Sequence, residues 1–462
     1  MRVASGVAIL CALLTSSAYS QTPVTISVDL TSSGIVIPQD FVGFSFGTGT
    51  LVNGNIFDST NRQMLNFFRE LGIKNLRIGG TTVDKAPPPP HKDVDALFRF
   101  AKAAGVKVIY SLRLSNGNPL EDASAAKYVW DNYKDYLVCF SIGNEPNYIE
   151  GRNDPEVKDY ATWLVKWKRF ARAVLDSVPQ AKFGGPDATT TKRGITWGPN
   201  FARDEGPSPY VHGVFYHYYV GSDSNGKTAQ ELIDAMLSRE WVTTIYPERF
   251  DTTAAVANRF GIPYRFTEAN SYCGIPVEGG SNAFSTALFS LDFLYWWASH
   301  GCPGVDFHCT MTKLNSTIYP DANGNYQVRP VGYGIKAFGV GGHGGILPVS
   351  NSRRDLNMTS YAVVDGDDLY VTIINKEHGA KATDMDVSIE PSARFGNAQA
   401  MYLVAPRNDV AATSGITLGG ASITNSDTWN GTWTQLDSAH PGQFKVTVPA
   451  PSAAIVKISL RK

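Results

Sequence analysis

The stretch LVCFSIGNE, residues 137–145, runs from an apolar segment directly into an amide and a carboxylate. Its first six residues are mostly apolar, which is typical of a strand buried on both faces of a sheet. Asn144 and Glu145 then stand side by side, and Pro146 ends the strand pattern. A buried strand that ends on a carboxylate predicts a functional edge at that strand end.

Similar strand candidates alternate with amphipathic helical patterns between about residues 41 and 337. Eight strands alternating with helices over about 300 residues predict the α/β class and a (β/α)8 TIM barrel, which we place at residues 38–347. A doubly wound open sheet is the competing fold, but it usually has fewer strands and a Gly-rich phosphate turn after the first one. The strand candidates are FVGFSF, NLRIGG, KVIYSLRL, LVCFSIGNE, AKFGGPD, VFYHYY, YRFTEAN and GVDFH.

After about residue 350 the pattern changes to alternation with period two, interrupted by Gly, Asn, Asp and Pro. Stretches such as DLYVTIINK and ATDMDVSIE predict short strands, and no convincing helix follows them. This region is typical of an antiparallel β-sandwich. The stretch VTISVDL near the N-terminus alternates in the same way, so we assign residues 21–37 and 348–462 to one C-terminal β-sandwich domain.

The first residues have the features of a secretory signal peptide. Arg2 precedes the apolar run VAILCALL, and the small residues Ala18 and Ser20 follow it. We therefore expect residues 1–20 to be a signal peptide and the protein to be secreted and extracellular. In that setting three sequons become candidate N-glycosylation sites, at Asn315, Asn357 and Asn430.

Composition narrows the classes of partner. The formal net charge of −1 gives no broad basic surface, so we expect no nucleic-acid or membrane partner. His212, His217 and His308 stand on separate segments without ligand spacing, so we expect no metal and no other cofactor. The oligomeric state stays open.

A second carboxylate occupies the same kind of place as Glu145. Glu268 lies in YRFTEANS, the seventh strand candidate, whereas Glu145 ends the fourth. The carboxyl ends of barrel strands form the face on which chemistry takes place. Glycoside hydrolysis uses a pair of carboxyl groups, one to protonate the leaving oxygen and one to attack or to activate water. The two glutamates therefore predict a glycosidase.

The sequence resembles the retaining (β/α)8 glycoside hydrolases, and within them glycoside hydrolase family 79, the β-glucuronidases and heparanase-like enzymes. The resemblance extends over essentially the whole mature chain in order. The motifs that carry it are LRIGGT (76–81), IGNEPN (142–147), YHYYVG (216–221), TEANSYCG (267–274) and GITLGGASI (415–423).

The resemblance implies roles for several residues at the strand ends. Glu145 matches the general acid/base and Glu268 the nucleophile, while Asn144 matches the amide that holds the sugar 2-hydroxyl. Tyr218, which we expect to face inward together with Tyr216, matches a phenol that hydrogen-bonds the nucleophile. His217 should then face away from the barrel axis. Arg77 can supply positive charge to Glu268, or serve as a barrel-interior ion pair.

The resemblance also implies a pocket for a uronic acid carboxylate. Its donors correspond to the backbone amides of Cys273 and Gly274 and to the phenol of Tyr319, and Thr81 matches a further sugar-contacting position. The family often has a run of glycines where this chain has Cys273, Gly274 and Ile275. Cys273 and Cys309 follow or end the neighbouring seventh and eighth strands, so a disulfide between them is sterically possible.

These observations favour a secreted, retaining exo-β-glucuronidase that removes glucuronic acid, with or without 4-O-methylation, from glycan ends by double displacement. Two alternatives keep the chemistry: a β-glycosidase of a neutral sugar, such as a xylosidase or arabinofuranosidase, and an endo-acting heparanase-like enzyme. A third alternative belongs to another class, a non-catalytic carbohydrate-binding barrel. The partner in every case is a glycan.

Overall fold

A computed structural model describes residues 21–460 except 33, 54, 149–153, 222–225, 311–313, 315, 392–394, 426–427 and 441–442. The signal peptide predicted at residues 1–20 and the sequon at Asn315 lie outside the described residues.

Eight parallel strands close into a barrel, which confirms the predicted fold class. Most of their residues are buried, because the barrel interior covers one face of each strand and helices cover the other. The barrel strands are β2 (Val42–Gly47), β3 (Asn75–Gly79), β4 (Lys107–Leu112), β5 (Leu137–Ile142), β6 (Phe183–Thr189), β7 (Val211–Gly221), β8 (Tyr264–Tyr272) and β9 (Val305–His308).

Helices connect these strands on the outside of the barrel. Asn61 caps the helix before β3, and Gly105 ends the helix before β4 in the left-handed conformation that glycine favours. The helices are α1 (Gly49–Asn53), α2 (Arg62–Glu70), α3 (His91–Ala104), α4 (Pro119–Tyr133), α5 (Tyr160–Ser177), α6 (Trp197–Glu205), α7 (Ala229–Met236), α8 (Tyr246–Thr252), α9 (Ala254–Arg259), α10 (Phe284–Ser299) and α11 (Pro330–Gly341). Shorter helical turns are the 3-10 turns Asn55–Phe57, Thr81–Asp84, Lys134–Tyr136 and Pro406–Asn408 and the π turn Trp241–Ile245.

The remaining strands form a hairpin after the barrel and two facing sheets. The hairpin is β10 (Ile318–Pro320) with β11 (Tyr326–Val328). One sheet holds β1 (Thr22–Val28), β13 (Val349–Asn351), β16 (Met385–Pro391), β20 (Ser438–His440) and β21 (Gln443–Val448). The other holds β12 (Gly345–Leu347), β14 (Met358–Asp365), β15 (Asp368–Asn375), β17 (Phe395–Val404), β18 (Thr417–Leu418), β19 (Thr434–Leu436) and β22 (Ser452–Leu460).

The N-terminal strand lies inside the C-terminal sheets. β1 pairs with β13 in antiparallel register and with β16 in parallel register, which is an exception to the antiparallel pattern expected there. A parallel neighbour is possible because the whole barrel intervenes between these two strands. The boundary placed at residue 347 lies late, because β12 already pairs with β14 of the sandwich.

A buried ion pair fastens the sandwich to the barrel. Asp292, on the almost entirely buried α10, accepts a hydrogen bond of 2.7 Å from Lys376 Nζ. The hydroxyls of Thr359 and Tyr361 donate to its other oxygen, each at 2.7 Å. A buried charge needs such partners, so this contact fixes the sandwich against the barrel wall. Among the described helices, none has the length and apolar composition needed to cross a membrane.

Candidate active site

The carboxyl ends of the barrel strands surround a cavity of about 760 Å³ that contains both predicted catalytic glutamates. Glu145 follows β5, and Glu268 lies within β8. One oxygen of each carboxylate and a ring nitrogen of His217 lie within 4.8 Å of one another. The other residues lining the cavity are Thr81, Tyr148, Thr189, Thr190, Thr191, Tyr219, Val220, Gly221, Arg249, Asn270, Tyr272, Cys273, Gly274, Pro276, His308 and Thr310.

A sharp turn presents Glu145 to the cavity. Glu145 has φ 44°, a left-handed conformation that non-glycine residues rarely adopt, and its N–H donates to the carbonyl of Asp187 at 2.9 Å. The N–H of Asn144 donates to Asp84 Oδ2 at 3.1 Å. Contacts from Asp187 of β6 and from Asp84 of a 3-10 turn therefore hold the turn that follows the apolar strand.

A β-bulge next to Glu268 orients its carboxylate. The register between β7 and β8 shifts between Tyr216 and His217, so that His217 lies opposite Glu268 and Thr267 is skipped. The hydroxyl of Thr267 donates to Asp187 in the barrel interior. Bulges of this kind redirect side chains next to active sites.

Glu268 is ionised in this setting. Arg77 Nη1 donates to its Oε2 at 2.8 Å, and the hydroxyl of Tyr219 donates to its Oε1 at 2.6 Å. Burial by itself raises the pKa of Glu268, but His308, His217, Arg77 and the Tyr219 hydrogen bond together bring it well below its usual range. An ionised, oriented carboxylate is what a nucleophile requires.

His217 connects the two glutamates. Its Nδ1 lies 2.9 Å from Glu145 Oε1, and its Nε2 lies 3.3 Å from Asp187 Oδ1. Burial lowers the pKa of His217, but Glu268, Asp187 and Glu145 outweigh this effect and raise it to about 9. The ring is therefore a buried imidazolium. Our expectation that His217 faces away from the barrel axis is wrong.

The predicted role of Tyr218 is wrong for the same reason. Its ring packs outside the barrel wall against Trp241, Tyr246 and Phe293, and the next residue, Tyr219, contacts Glu268. The stretch YHYYVG is aromatic on both faces, because a barrel strand is buried on both sides. Alternation alone therefore could not determine which face points inward.

Arg77 lies behind the glutamates rather than in the cavity. It is fully buried, and its Nη2 donates to Asn144 Oδ1 at 2.8 Å and lies 3.5 Å from Asp187 Oδ2. A Cβ on Gly79 would come within 2.6 Å of the guanidinium carbon, so this glycine makes room for the arginine. Arg77 thus orients Asn144 and Glu268, and both of our readings, charge supply and interior ion pair, describe it.

The predicted carboxylate pocket is only partly assembled. Thr81, Cys273 and Gly274 line the cavity. The N–H of Cys273, however, donates to the carbonyl of Gly221 at 3.1 Å, so it is already bonded. Tyr319 pairs with Gln327 in the hairpin and is not among the residues lining the cavity, which corrects its assignment as a donor there.

The predicted disulfide is not present. Cys273 and Cys309 are both free thiols, as are the other cysteines of the described chain. The thiol of Cys273 is directed to the carbonyl of Gly221 at 3.5 Å, whereas that of Cys309 is fully buried beside Phe307. Neighbouring strands bring the two backbones together, but the side chains point to different surroundings. Burial raises the pKa of Cys273 to about 12, so this thiol stays protonated.

Two predicted glycosylation sites fall on described residues. Asn430 is exposed, whereas Asn357 is half-buried and its Nδ2 donates to the carbonyl of Leu237 at 2.9 Å. Exposure therefore favours Asn430, and glycosylation of either residue stays a prediction.

The cluster of Glu145, His217 and Glu268 also has the spacing of a metal site. Its charges do not suit one, because Arg77 already binds Glu268 and His217 carries a proton on the nitrogen that faces Glu145. Metal ligands must be deprotonated. The arrangement fits acid/base and nucleophilic chemistry better.

Comparisons with known proteins support this interpretation. Residues 360–455 match the family model described as "Glycosyl hydrolase family 79 C-terminal beta domain". No curated protein sequence matches the chain. Similar solved structures include a 4-O-α-L-rhamnosyl-β-D-glucuronidase from Fusarium oxysporum 12S, a family 51 arabinofuranosidase from Xanthomonas axonopodis pv. citri and a monomeric β-xylosidase from Caulobacter crescentus CB15.

The three structures share the fold with this chain at low sequence identity. The glucuronidase is 17% identical with a TM-score of 0.76, and the match covers 94% of this chain and 100% of that one. The arabinofuranosidase is 14% identical (TM-score 0.70, covering 95% and 100%), and the xylosidase is 16% identical (TM-score 0.62, covering 95% and 100%).

The barrel, the paired glutamates and the family match together define a (β/α)8 glycoside hydrolase. The C-terminal match confirms the resemblance to glycoside hydrolase family 79, so the chain is an enzyme whose substrate is a glycan.

Proposed function

We propose that the protein is a secreted, retaining exo-β-glucuronidase. The observation that carries this proposal is the spacing of the two carboxylates. One oxygen of Glu145 and one oxygen of Glu268 lie within 4.8 Å of each other. Retaining glycosidases hold their carboxyl groups about 5–5.5 Å apart, whereas inverting enzymes leave about 6.5–9.5 Å for a water molecule. Glu145 and Glu268 therefore suit direct attack on the sugar.

In the proposed mechanism, Glu268 attacks the anomeric carbon while Glu145 gives its proton to the departing glycosidic oxygen. A covalent glycosyl–Glu268 ester forms and the leaving alcohol departs. Glu145 then takes a proton from water, whose oxygen attacks the same carbon and releases Glu268. Arg77 and Tyr219 hold the nucleophile ionised and oriented through both steps.

The choice of glucuronic acid follows from the family and from the similar structure of a glucuronide-cleaving enzyme. Arabinofuranosidases and a xylosidase also share the fold, so a neutral sugar is the second candidate. Hydrolysis of 4-nitrophenyl β-D-glucuronide, β-D-xyloside and α-L-arabinofuranoside, assayed side by side, tests this choice. Turnover of only a neutral glycoside would refute the glucuronate proposal.

Exo action and secretion are tested separately. An exo-acting enzyme releases monosaccharide from a glucuronic-acid-terminated oligosaccharide from the first time point, whereas an endo-acting, heparanase-like enzyme releases oligosaccharides. Expression of the full chain in its source cells should place the protein in the medium with an N-terminus near Gln21. Retention in the cell with residues 1–20 intact would contradict the secretory part of the proposal.

A further inference from the structure

The catalytic cavity is lined by one arginine, Arg249, whose charge has no carboxylate partner among the described residues. Arg249 lies in the last turn of α8 and is half-buried. Its Nε is buried and has no hydrogen-bond partner within the described part of the chain. The guanidinium carbon lies 5.4 Å from the centre of the Tyr218 ring, so an aromatic face supports it on one side.

Several other polar groups of the cavity already have partners. The imidazolium of His217 faces Glu145, and the hydroxyl of Tyr219 donates to Glu268. The ring of His308 faces the nucleophile, with its Nδ1 3.6 Å from Glu268 Oε2. The N–H of Cys273 donates to the carbonyl of Gly221. An anion entering this cavity would therefore find its available positive charge at Arg249.

An unpaired charge that is partly withdrawn from water is unfavourable until an opposite charge meets it. A guanidinium group is also the side chain best suited to bind a carboxylate, because its fork of N–H donors matches both oxygens. Arg249 and Glu268 line the same cavity, so a sugar whose anomeric carbon contacts Glu268 shares that cavity with the guanidinium.

We infer that Arg249 binds the carboxylate of the uronic acid ring that occupies the catalytic cavity. This inference rests on the proposed function and adds a specificity-determining residue to it. It also gives a role to Tyr218, whose ring supports the guanidinium from outside the barrel wall. Arg249 would then take the role of carboxylate donor that the family resemblance assigned to Tyr319, which lies in the hairpin.

The test compares a charged and a neutral substrate in matched variants. Arg249→Ala should lower kcat/KM for 4-nitrophenyl β-D-glucuronide by about 10- to 100-fold, the range for a lost hydrogen bond to a charged group. For 4-nitrophenyl β-D-glucoside it should change kcat/KM little. Arg249→Lys should recover part of the loss. Arg259→Ala, an exposed arginine on the adjacent α9, is the control and should behave as wild type for both substrates.

Calorimetric titration with free glucuronate separates the two proposals. Weaker glucuronate binding by Arg249→Ala than by wild type, with equal thermal unfolding midpoints, supports the inference. An unchanged ratio of glucuronide to glucoside activity in Arg249→Ala overturns the inference while leaving the glucuronidase proposal intact. A wild-type enzyme that cleaves only neutral glycosides overturns the proposed function. If the wild type also fails to bind glucuronate, the role of Arg249 is overturned as well.

Discussion

Two buried arginine–carboxylate pairs stand out among the described residues of the barrel, one at each end. At the mouth, Arg77 Nη1 lies 2.8 Å from Glu268 Oε2, and its Nη2 contacts both Asn144 and Asp187. Near the opposite end, Arg265 binds Asp306 through two hydrogen bonds of 2.7 and 3.0 Å. The first pair belongs to a wider network that faces a cavity, whereas the second is a closed, bidentate pair.

The two carboxylates respond differently to their surroundings. Burial raises the pKa of Asp306, and Arg265 offsets only part of this effect. Burial acts on Glu268 in the same direction, but His308, His217 and Arg77 together reverse it. One arginine is enough to keep a carboxylate in place, while several positive groups are needed to keep a nucleophile ionised.

The difference between the two arginine–carboxylate pairs agrees with the general organisation of (β/α)8 barrels. The carboxyl ends of the strands carry the catalytic groups, and the opposite end contributes to stability. Removing a group at the mouth should therefore affect turnover, and removing one at the other end should affect unfolding. Four predictions test that separation.

Glu268→Gln should produce the largest effect. We expect kcat to fall by about 10³-fold or more, because the amide cannot form the covalent intermediate. The thermal unfolding midpoint should change little, since the amide fills the same space. Steady-state kinetics and differential scanning calorimetry measure the two quantities, and wild-type turnover in this variant would remove Glu268 from the mechanism.

Asp306→Ala should have the opposite profile. It leaves Arg265 buried without its partner, which costs about 3–5 kcal/mol of unfolding free energy. The kcat of the folded fraction should stay near the wild-type value. The double variant Arg265→Met/Asp306→Leu should recover much of the stability, because apolar side chains replace a closed pair well. Urea unfolding followed by fluorescence gives the free energies, and a large fall in kcat would show that the two ends are not separable.

Tyr219→Phe should lower kcat by about 10- to 100-fold, because it removes a hydrogen bond to the charged Glu268. Tyr218→Phe is the matched control at the adjacent position, where the ring packs outside the wall. We expect it to keep kcat near wild type. A larger loss in Tyr218→Phe than in Tyr219→Phe would mean that Tyr218 supplies the phenol that contacts the nucleophile.

His217 should make stability depend on alkaline pH. Its pKa in the folded protein is about 9, above the value of about 6.5 in an unfolded chain. The stabilisation from its proton is therefore fully present below about pH 6.5 and is lost as the pH rises through 9. Urea unfolding of wild type and His217→Gln from pH 6 to 10 should show the difference in free energy shrinking over that window. A constant difference would mean that the ring is neutral.

Much of this architecture could be predicted from the sequence. The stretch LVCFSIGNE can be recognised as an active-site strand because its apolar run and its terminal carboxylate are adjacent in the chain. The stretch YRFTEANS also carries a carboxylate at the end of a strand pattern. The spatial pairing of Glu145 with Glu268 then follows from the barrel's order of strands.

Other features of the site could not be predicted from the pattern of apolar and polar residues. The pattern of YHYYVG does not show which side chains point into the barrel, because both faces of that strand are buried in aromatic surroundings. Asp187 lies in AKFGGPD, where nothing marks it as the partner of Arg77 and His217. Arg249 is separated from the strands in the chain, and only packing of α8 against Tyr218 brings it to the cavity.

Trapping the covalent intermediate tests the central claim most directly. Incubation with 2-deoxy-2-fluoro-β-D-glucuronyl fluoride, in which the fluorine slows release of the sugar, should label the protein once. Peptide mass spectrometry should find the sugar on Glu268, and Glu268→Gln should remain unlabelled. A label on another residue, or an inactive protein without a label although the probe is consumed, would contradict a retaining mechanism through this glutamate.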